Sequence, residues 1–413
     1  MNKNNLKYMR EEKRNCFINE WNNYYDRSGT LHINKLSNVK IKAMGQVPGI
    51  ELSDLRLIDD CDYYSEIIET NDETPLYIKG KVLYAGYLRK SWGHFLMNST
   101  ARLWPAFMND IEYDHIVFIA EDNTTLELSG NFKEFCELCG SIDKCLILPQ
   151  STYHFECLIV GDISLEIGRY YSQEFLAPFN YIREQVLKHT ELKNYKKKGT
   201  ILTRSNWNKG RTNLQFNVGY FEHVFCDNGY DPISPEGLSL KDLILHLNSS
   251  NEIVSFSGTT AHNILFCPNK KLTILERCAA NNVYQIGIMK ILNNENTIID
   301  CFYQPMIISS TDNLTIYGIT AQFEKYTRDN GFSLPKFNDN PLSEFRKYLK
   351  ICRSHYGYSV GLNKWECSQY PAIIEAYFDS YSRYEKYLNR QVPVLWTDFF
   401  SPRVLYRMLK NLF

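Results

Sequence analysis

The stretch SFSGTTAHNILFCPNKKLTILER, residues 255–277, sets Ser257, Gly258, Thr259 and Thr260 in a turn and follows them with His262 and Asn263. Hydroxyl donors, an imidazole and a glycine that lets the backbone come close are suited to the oxygens of a phosphate. The flanks place the turn. NEIVSF is a short β-branched run, AHNILF has helical spacing that Pro268 ends, and KLTILE alternates as a strand. A strand–turn–helix of this kind aims backbone N–H groups and the positive end of a helix dipole into one crevice. The same residues would equally serve as an N-cap for the helix alone.

A second constellation lies in YAGYLRKSWGHFLMNSTARLW, residues 84–104. The apolar spacing predicts a helix opening near Gly93. On it His94, Asn98 and Arg102 are spaced by four, so a base, an amide and a cation share one ridge about 80° wide. His94 could take a proton from an acceptor hydroxyl, the work for which an imidazole is the usual side chain. Further on, GTILTRSNWNKGRTN sets Arg204 directly after a buried strand, with Lys209 and Arg211 in the following loop. A guanidinium there can grip a diphosphate with two parallel bonds. In PEGLSLKDLILHL, Ser239 or Glu236 starts an amphipathic helix, a capping role.

These residues need elements to hold them, and the pattern supplies two sets. From YIKGKVLYAGYL onward strands and helices alternate through HIVFIA, FKEFCELCG, KCLILP and FECLIVGD, followed by the helix PFNYIREQVLKHTELKNYKKK. A second alternating set runs from GTILTRS through HVFCDNG, LSLKDLILHLNSS, NEIVSFSG and KLTILER. The expectation is an α/β fold of two doubly wound, Rossmann-like halves facing a cleft. Residues 1–195 form the acceptor-side half, 196–305 the donor-side half and 306–413 a helical C-terminal extension.

The chain has 413 residues, 44% of them hydrophobic and 23% charged, which suits a globular protein with ordinary cores. A net charge of −1 offers no broad basic footprint for nucleic acid. Aromatic residues reach 14%, and rings of that kind suit sugar faces as well as cores. The 12 cysteines have no framework spacing and the polar N-terminus no signal-peptide pattern, so a cytoplasmic location with reduced thiols is expected. Cys136, Cys139 and Cys145 lack a fourth partner for zinc. The closing SPRVLYRMLKNLF has an apolar face opposite Arg403, Arg407 and Lys410, a pattern that suits either peripheral membrane contact or packing on the protein itself. The tyrosine-rich segments of residues 340–390 could serve a partner, including a second copy of the chain, or the acceptor.

The ordered motifs GHFLMNSTARLW, then TILTRSN with GR, then ISPEGLSLKDLILHLNSSNEIVSFSGTTAHNILFCPNKKLTILE give residues 80–285 a resemblance to glycosyltransferase family 61, particularly bacterial members that build surface polysaccharides. The resemblance implies a fold of the GT-B type, inversion at the anomeric carbon, no obligatory metal or other cofactor, and a nucleotide-diphosphate sugar, by default a UDP-sugar, held mostly by the second half. Arg204 and Arg211 would meet the diphosphate. Ser257, Gly258, Thr259, Thr260, His262, Asn263 and Glu276 would line the donor site, with His94, Asn98 and Arg102 on the catalytic, acceptor side. The acceptor would be an oligosaccharide or lipid-linked glycan of a capsule or similar surface polymer. Two positions depart from the pattern. Many relatives have histidine where Ser257 stands, and a carboxylate four residues after the GHF histidine, where this chain has Asn98. An amide cannot act as a base. Asn98 motivates a second reading, a sugar- or nucleotide-binding assembly protein that lost its base, and LRLIDDCDYY a third, a metal-dependent GT-A transferase using Asp60 and Asp62, which follow an apolar run as a metal-binding acidic pair would.

Overall fold

The computed structural model describes residues 6–42, 56–57, 74–121, 126–188, 197–204, 215–292, 294–302, 315–336 and 347. Lys209, Arg211, Asp60, Asp62, the tyrosine-rich segments (apart from residue 347) and the closing amphipathic stretch lie outside them.

The protein is mixed α/β, built on two main sheets. The first has six strands in the order Arg56–Leu57, Ile33–Lys42, Thr152–Gly161, Leu76–Leu88, His115–Ala120 and Cys145–Leu148. The last four run parallel, and Ile33–Lys42 lies antiparallel to Thr152–Gly161. Strand HIVFIA buries Ile116 to Ala120 without interruption, as a parallel strand covered on both faces must.

The second sheet is entirely parallel, in the order Tyr230–Ile233, Gly199–Leu202, Glu252–Phe256, Lys271–Glu276 and Asn296–Asp300. In chain order this reads 2-1-3-4-5, a doubly wound sheet whose strand order reverses between Gly199–Leu202 and Glu252–Phe256. Crevices for ligands open at such a point, beyond the carboxyl ends of the strands. Alternate side chains feed two cores. Leu202, Ile253, Ile274 and Ile298 point to one face, where helix Leu240–Ser249 packs; Ile201, Val254, Leu275 and Ile299 point to the other, covered by helix Val218–Asp227. Ser239 caps the former helix by accepting the Asp242 N–H at 3.1 Å.

The core of the first face continues into the first sheet through Leu83, Ala85 and Phe118. Phe266 stands 5.2 Å from Phe179 and 6.3 Å from Phe135, ring centre to ring centre, so the two halves share one hydrophobic core beneath the cleft. The start of the chain joins the second sheet. Tyr8 pairs with Ile299 as an added parallel edge, and helix Glu11–Asn23 packs on helix Val283–Leu292. After residue 306 the described part holds helix Ala321–Asp329, whose Phe323 and Tyr326 complete the second core. Among the described residues no helix is long and apolar enough to cross a membrane.

Candidate functional site

The three central strands of the second sheet each end in a residue of one cleft. Gly199–Leu202 leads to Arg204, Glu252–Phe256 to Ser257 and Gly258, and Lys271–Glu276 to Arg277. Gly258 has φ 117° and ψ −158°, a conformation essentially reserved for glycine. A Cβ there would stand 3.6 Å from Arg204 Nη1 and 3.8 Å from Arg277 Cζ, so two guanidinium groups flank a bare stretch of backbone. Arg204 is buried; its backbone N–H donates to Glu222 Oε1 at 2.7 Å and its Nη1 to Thr260 Oγ1 at 3.3 Å. That bond holds the side chain toward the turn.

The helix expected after the turn is shorter than its pattern suggested. One α-turn, Thr259–His262, passes into a 3-10 turn, Asn263–Phe266. So short a helix carries little macrodipole, and the positive potential here comes chiefly from side chains.

The first half meets this turn at its own helix start. Ser91 Oγ accepts the His94 N–H at 3.4 Å, and Gly93 packs on Thr259 so closely that a Cβ would fall 2.5 Å from Thr259 Oγ1. The expected single helical ridge does not form. Trp92–His94 is one α-turn, and Phe95–Ser99 widens to a π-turn, with Thr100 N–H donating to Phe95 O. His94 remains at the cleft and keeps Asn98, whose Oδ1 is 3.2 Å from its Nδ1. Arg102 is carried away by the change of register. It is buried and donates to Gly161 O at 2.7 Å, outside the cleft.

Two other residues from the motifs have structural partners. Asn263 accepts from Trp92 Nε1 at 3.0 Å and donates to Thr260 O at 3.0 Å, bracing the seam between the halves. Glu276 turns from the cleft into a buried ion cluster, 3.0 Å from Lys13 Nζ, which also reaches Asp300 at 3.5 Å and donates to Cys278 O at 2.8 Å. Burial opposes the charge on Lys13, but the Glu276 and Asp300 carboxylates outweigh it and hold the ammonium above its ordinary pKa.

The resulting cleft has a volume of about 780 Å³, in the range of small-molecule sites. Among the described residues its ionic side chains are Lys90, Arg204 and Arg277 against the single carboxylate Glu236, a local positive excess in a chain of net charge −1. Ser257, Gly258, Thr259, Thr260, His262 and His94 line it with them. Tyr284, at the start of helix Val283–Leu292, stands edge-on to His94 with its Oη 3.3 Å from Nδ1. An amide oxygen only accepts, so in this arrangement His94 Nδ1 carries the proton and Nε2 is left with a lone pair. His262 lies behind Tyr284, the rings 6.1 Å apart. Its burial, then the neighbouring His94 and Arg277, outweigh the opposing pull of the nearby Gly93 backbone and push its pKa down to about 3, so the imidazole is neutral.

Arg277, Trp92, Tyr284 and Lys13 went unassigned in the sequence. Arg277 had a signal: it follows KLTILE as Arg204 follows the strand of GTIL. Lys13 had none. Cys136, Cys139 and Cys145 line a small apolar recess with Phe118 and Phe135, and the described residues hold no group of three His, Cys, Asp or Glu side chains placed to ligate a metal. No family model matches the chain, and no curated protein matches it.

Proposed function

We propose that the protein is an inverting glycosyltransferase that moves a sugar from a nucleotide-diphosphate donor, by resemblance a UDP-sugar, to a glycan acceptor. The observation that carries the reading is the pair Arg204 and Arg277 beside Gly258 at the reversal of a parallel sheet, with His94 facing them across the seam. Two forked cations next to backbone that carries no side chain suit a pyrophosphate, and its charge grows as it leaves. The two sheets then act as the two Rossmann-like halves of a GT-B enzyme.

In this mechanism the acceptor oxygen attacks the anomeric carbon from the face opposite the diphosphate. The new C–O bond forms as the C–O bond to phosphate breaks, its electron pair leaving on the nucleotide diphosphate. The acceptor proton passes to His94 Nε2. Asn98 thereby orients the base through Nδ1–H and has no need to be one. Arg204 and Arg277 stabilise the departing charge without moving. A surface-polysaccharide acceptor comes from the resemblance alone.

The test is titration calorimetry with UDP and a panel of UDP-sugars, followed by product analysis with a glycan acceptor in the presence and absence of EDTA. Donor binding with turnover and an inverted anomeric centre supports the reading. Donor binding without turnover would favour the assembly-protein reading. Turnover lost on chelation would favour a metal-dependent transferase, and no binding of any nucleotide would refute the proposal.

A further inference from the structure

Among the described residues His262 is poorly satisfied by protein groups: the Gly93 backbone lies near its ring, but no hydrogen bond of good geometry forms. Its exposure is 5%, it lines the cleft, and neither ring nitrogen makes a well-formed hydrogen bond among the described residues. A buried polar group left this way is costly unless something fills the role. A packing role accounts poorly for it, since an apolar ring would fill the same space without that cost.

Its position says what the missing partner is. Arg277 and His94 both lie close enough to act electrostatically on His262, and Tyr284 touches His94 on one side and faces His262 on the other. Resting on the function proposed above, the diphosphate lies at Arg204 and Arg277 and the attacking hydroxyl at His94. The transferred sugar must lie between its leaving group and its nucleophile. His262 and Tyr284 occupy that interval.

We propose that His262 is the floor of a glycosyl subsite and hydrogen-bonds a hydroxyl of an uncharged donor sugar. A neutral imidazole offers one donor and one acceptor, and a hydroxyl is both, so one sugar hydroxyl or two neighbouring ones can meet the ring nitrogens. A carboxylate can only accept. It would leave one nitrogen unmet or draw a proton onto a ring that burial keeps neutral. The subsite therefore favours neutral hexoses, N-acetylhexosamines or pentoses over uronic acids whose carboxylate would face the ring.

The experiment measures dissociation constants for UDP, UDP-glucose, UDP-N-acetylglucosamine, UDP-xylose and UDP-glucuronate with the wild-type protein, His262→Phe and His262→Asn. The wild type should bind its best neutral UDP-sugar more tightly than UDP and more tightly than UDP-glucuronate. His262→Phe should lose about tenfold in affinity for that sugar nucleotide while UDP affinity stays within about twofold. His262→Asn, which keeps a donor and an acceptor on a smaller side chain, should fall between, and serves if the phenylalanine variant does not fold. Equal losses for UDP and UDP-sugar would place His262 at the diphosphate and overturn the inference, as would an unchanged sugar preference or a preference for UDP-glucuronate. A wild type that binds no UDP compound refutes the parent function instead, an outcome seen before any variant is made.

Discussion

Replacing Lys13 by methionine removes one charge from a cluster of three and keeps most of the side-chain volume. Lys13, Glu276 and Asp300 are 5%, 4% and 0% exposed, and the ammonium serves both carboxylates and the Cys278 carbonyl. Leaving two buried carboxylates without their counter-charge costs about 3–5 kcal/mol, a large share of an ordinary stability of about 5–15 kcal/mol. The pH dependence has a definite sign. Burial raises the Asp300 pKa in the folded protein, against the pull of Lys13, and without Lys13 it rises further. A carboxyl that binds its proton more tightly when folded contributes stability in full below its unfolded-state pKa and loses it as pH climbs from there through the raised, folded one. The gap between wild type and Lys13→Met should therefore be widest at neutral pH and narrow on acidification. Urea unfolding followed by circular dichroism at pH 7.5 and pH 5.5 measures it. Lys81→Met, which breaks an exposed ion pair with Glu112, should leave stability essentially unchanged. Because Lys13 holds the residues on either side of Arg277, the variant should also bind UDP about tenfold more weakly. A Lys13→Met protein as stable as wild type at pH 7.5, or a gap that does not narrow with acid, would refute the reasoning.

Arg204→Ala and Arg277→Ala should each weaken UDP binding by roughly 10- to 100-fold, the scale of a lost charge-assisted hydrogen bond, read by calorimetry on protein that still unfolds cooperatively. Gly258→Ala forces a side chain into φ 117° between the two guanidinium groups; it should cost about 1–3 kcal/mol in a thermal or urea melt and lower UDP affinity as well. Asn98→Asp should leave turnover present but move the acid limb of the kcat/KM profile to higher pH, because a carboxylate beside Nδ1 favours the protonated imidazole that cannot act as a base.

Much of the scaffold was legible in the residue order. HIVFIA, KLTILE and NEIVSF are strands and LSLKDLILHLNSS is a capped helix in the structure, because period and capping are local properties that the chain carries along its length. The position of Arg204 after a buried strand and the glycine of the Ser257–Thr260 turn were legible for the same reason, and both lie in the cleft. HVFCDNG, taken simply as part of an alternating set, forms the end of helix Val218–Asp227 and the turn beyond it.

What a side chain faces is a different matter. Arg102 keeps its fourfold spacing from Asn98, yet a π-turn rotates it into the core toward Gly161, and no local pattern announces that extra residue per turn. Glu276 ends the strand that delivers Arg277, but points to a lysine 263 positions earlier. Asn263 was read with the ligand turn and instead holds Trp92, 171 positions away. Sequence by itself determined the strands, the turns and the kinds of chemistry available at their ends. Only the tertiary structure decided which of those groups face the cleft and which are spent on the seam and the buried cluster, because that depends on partners brought together by packing rather than by position along the chain.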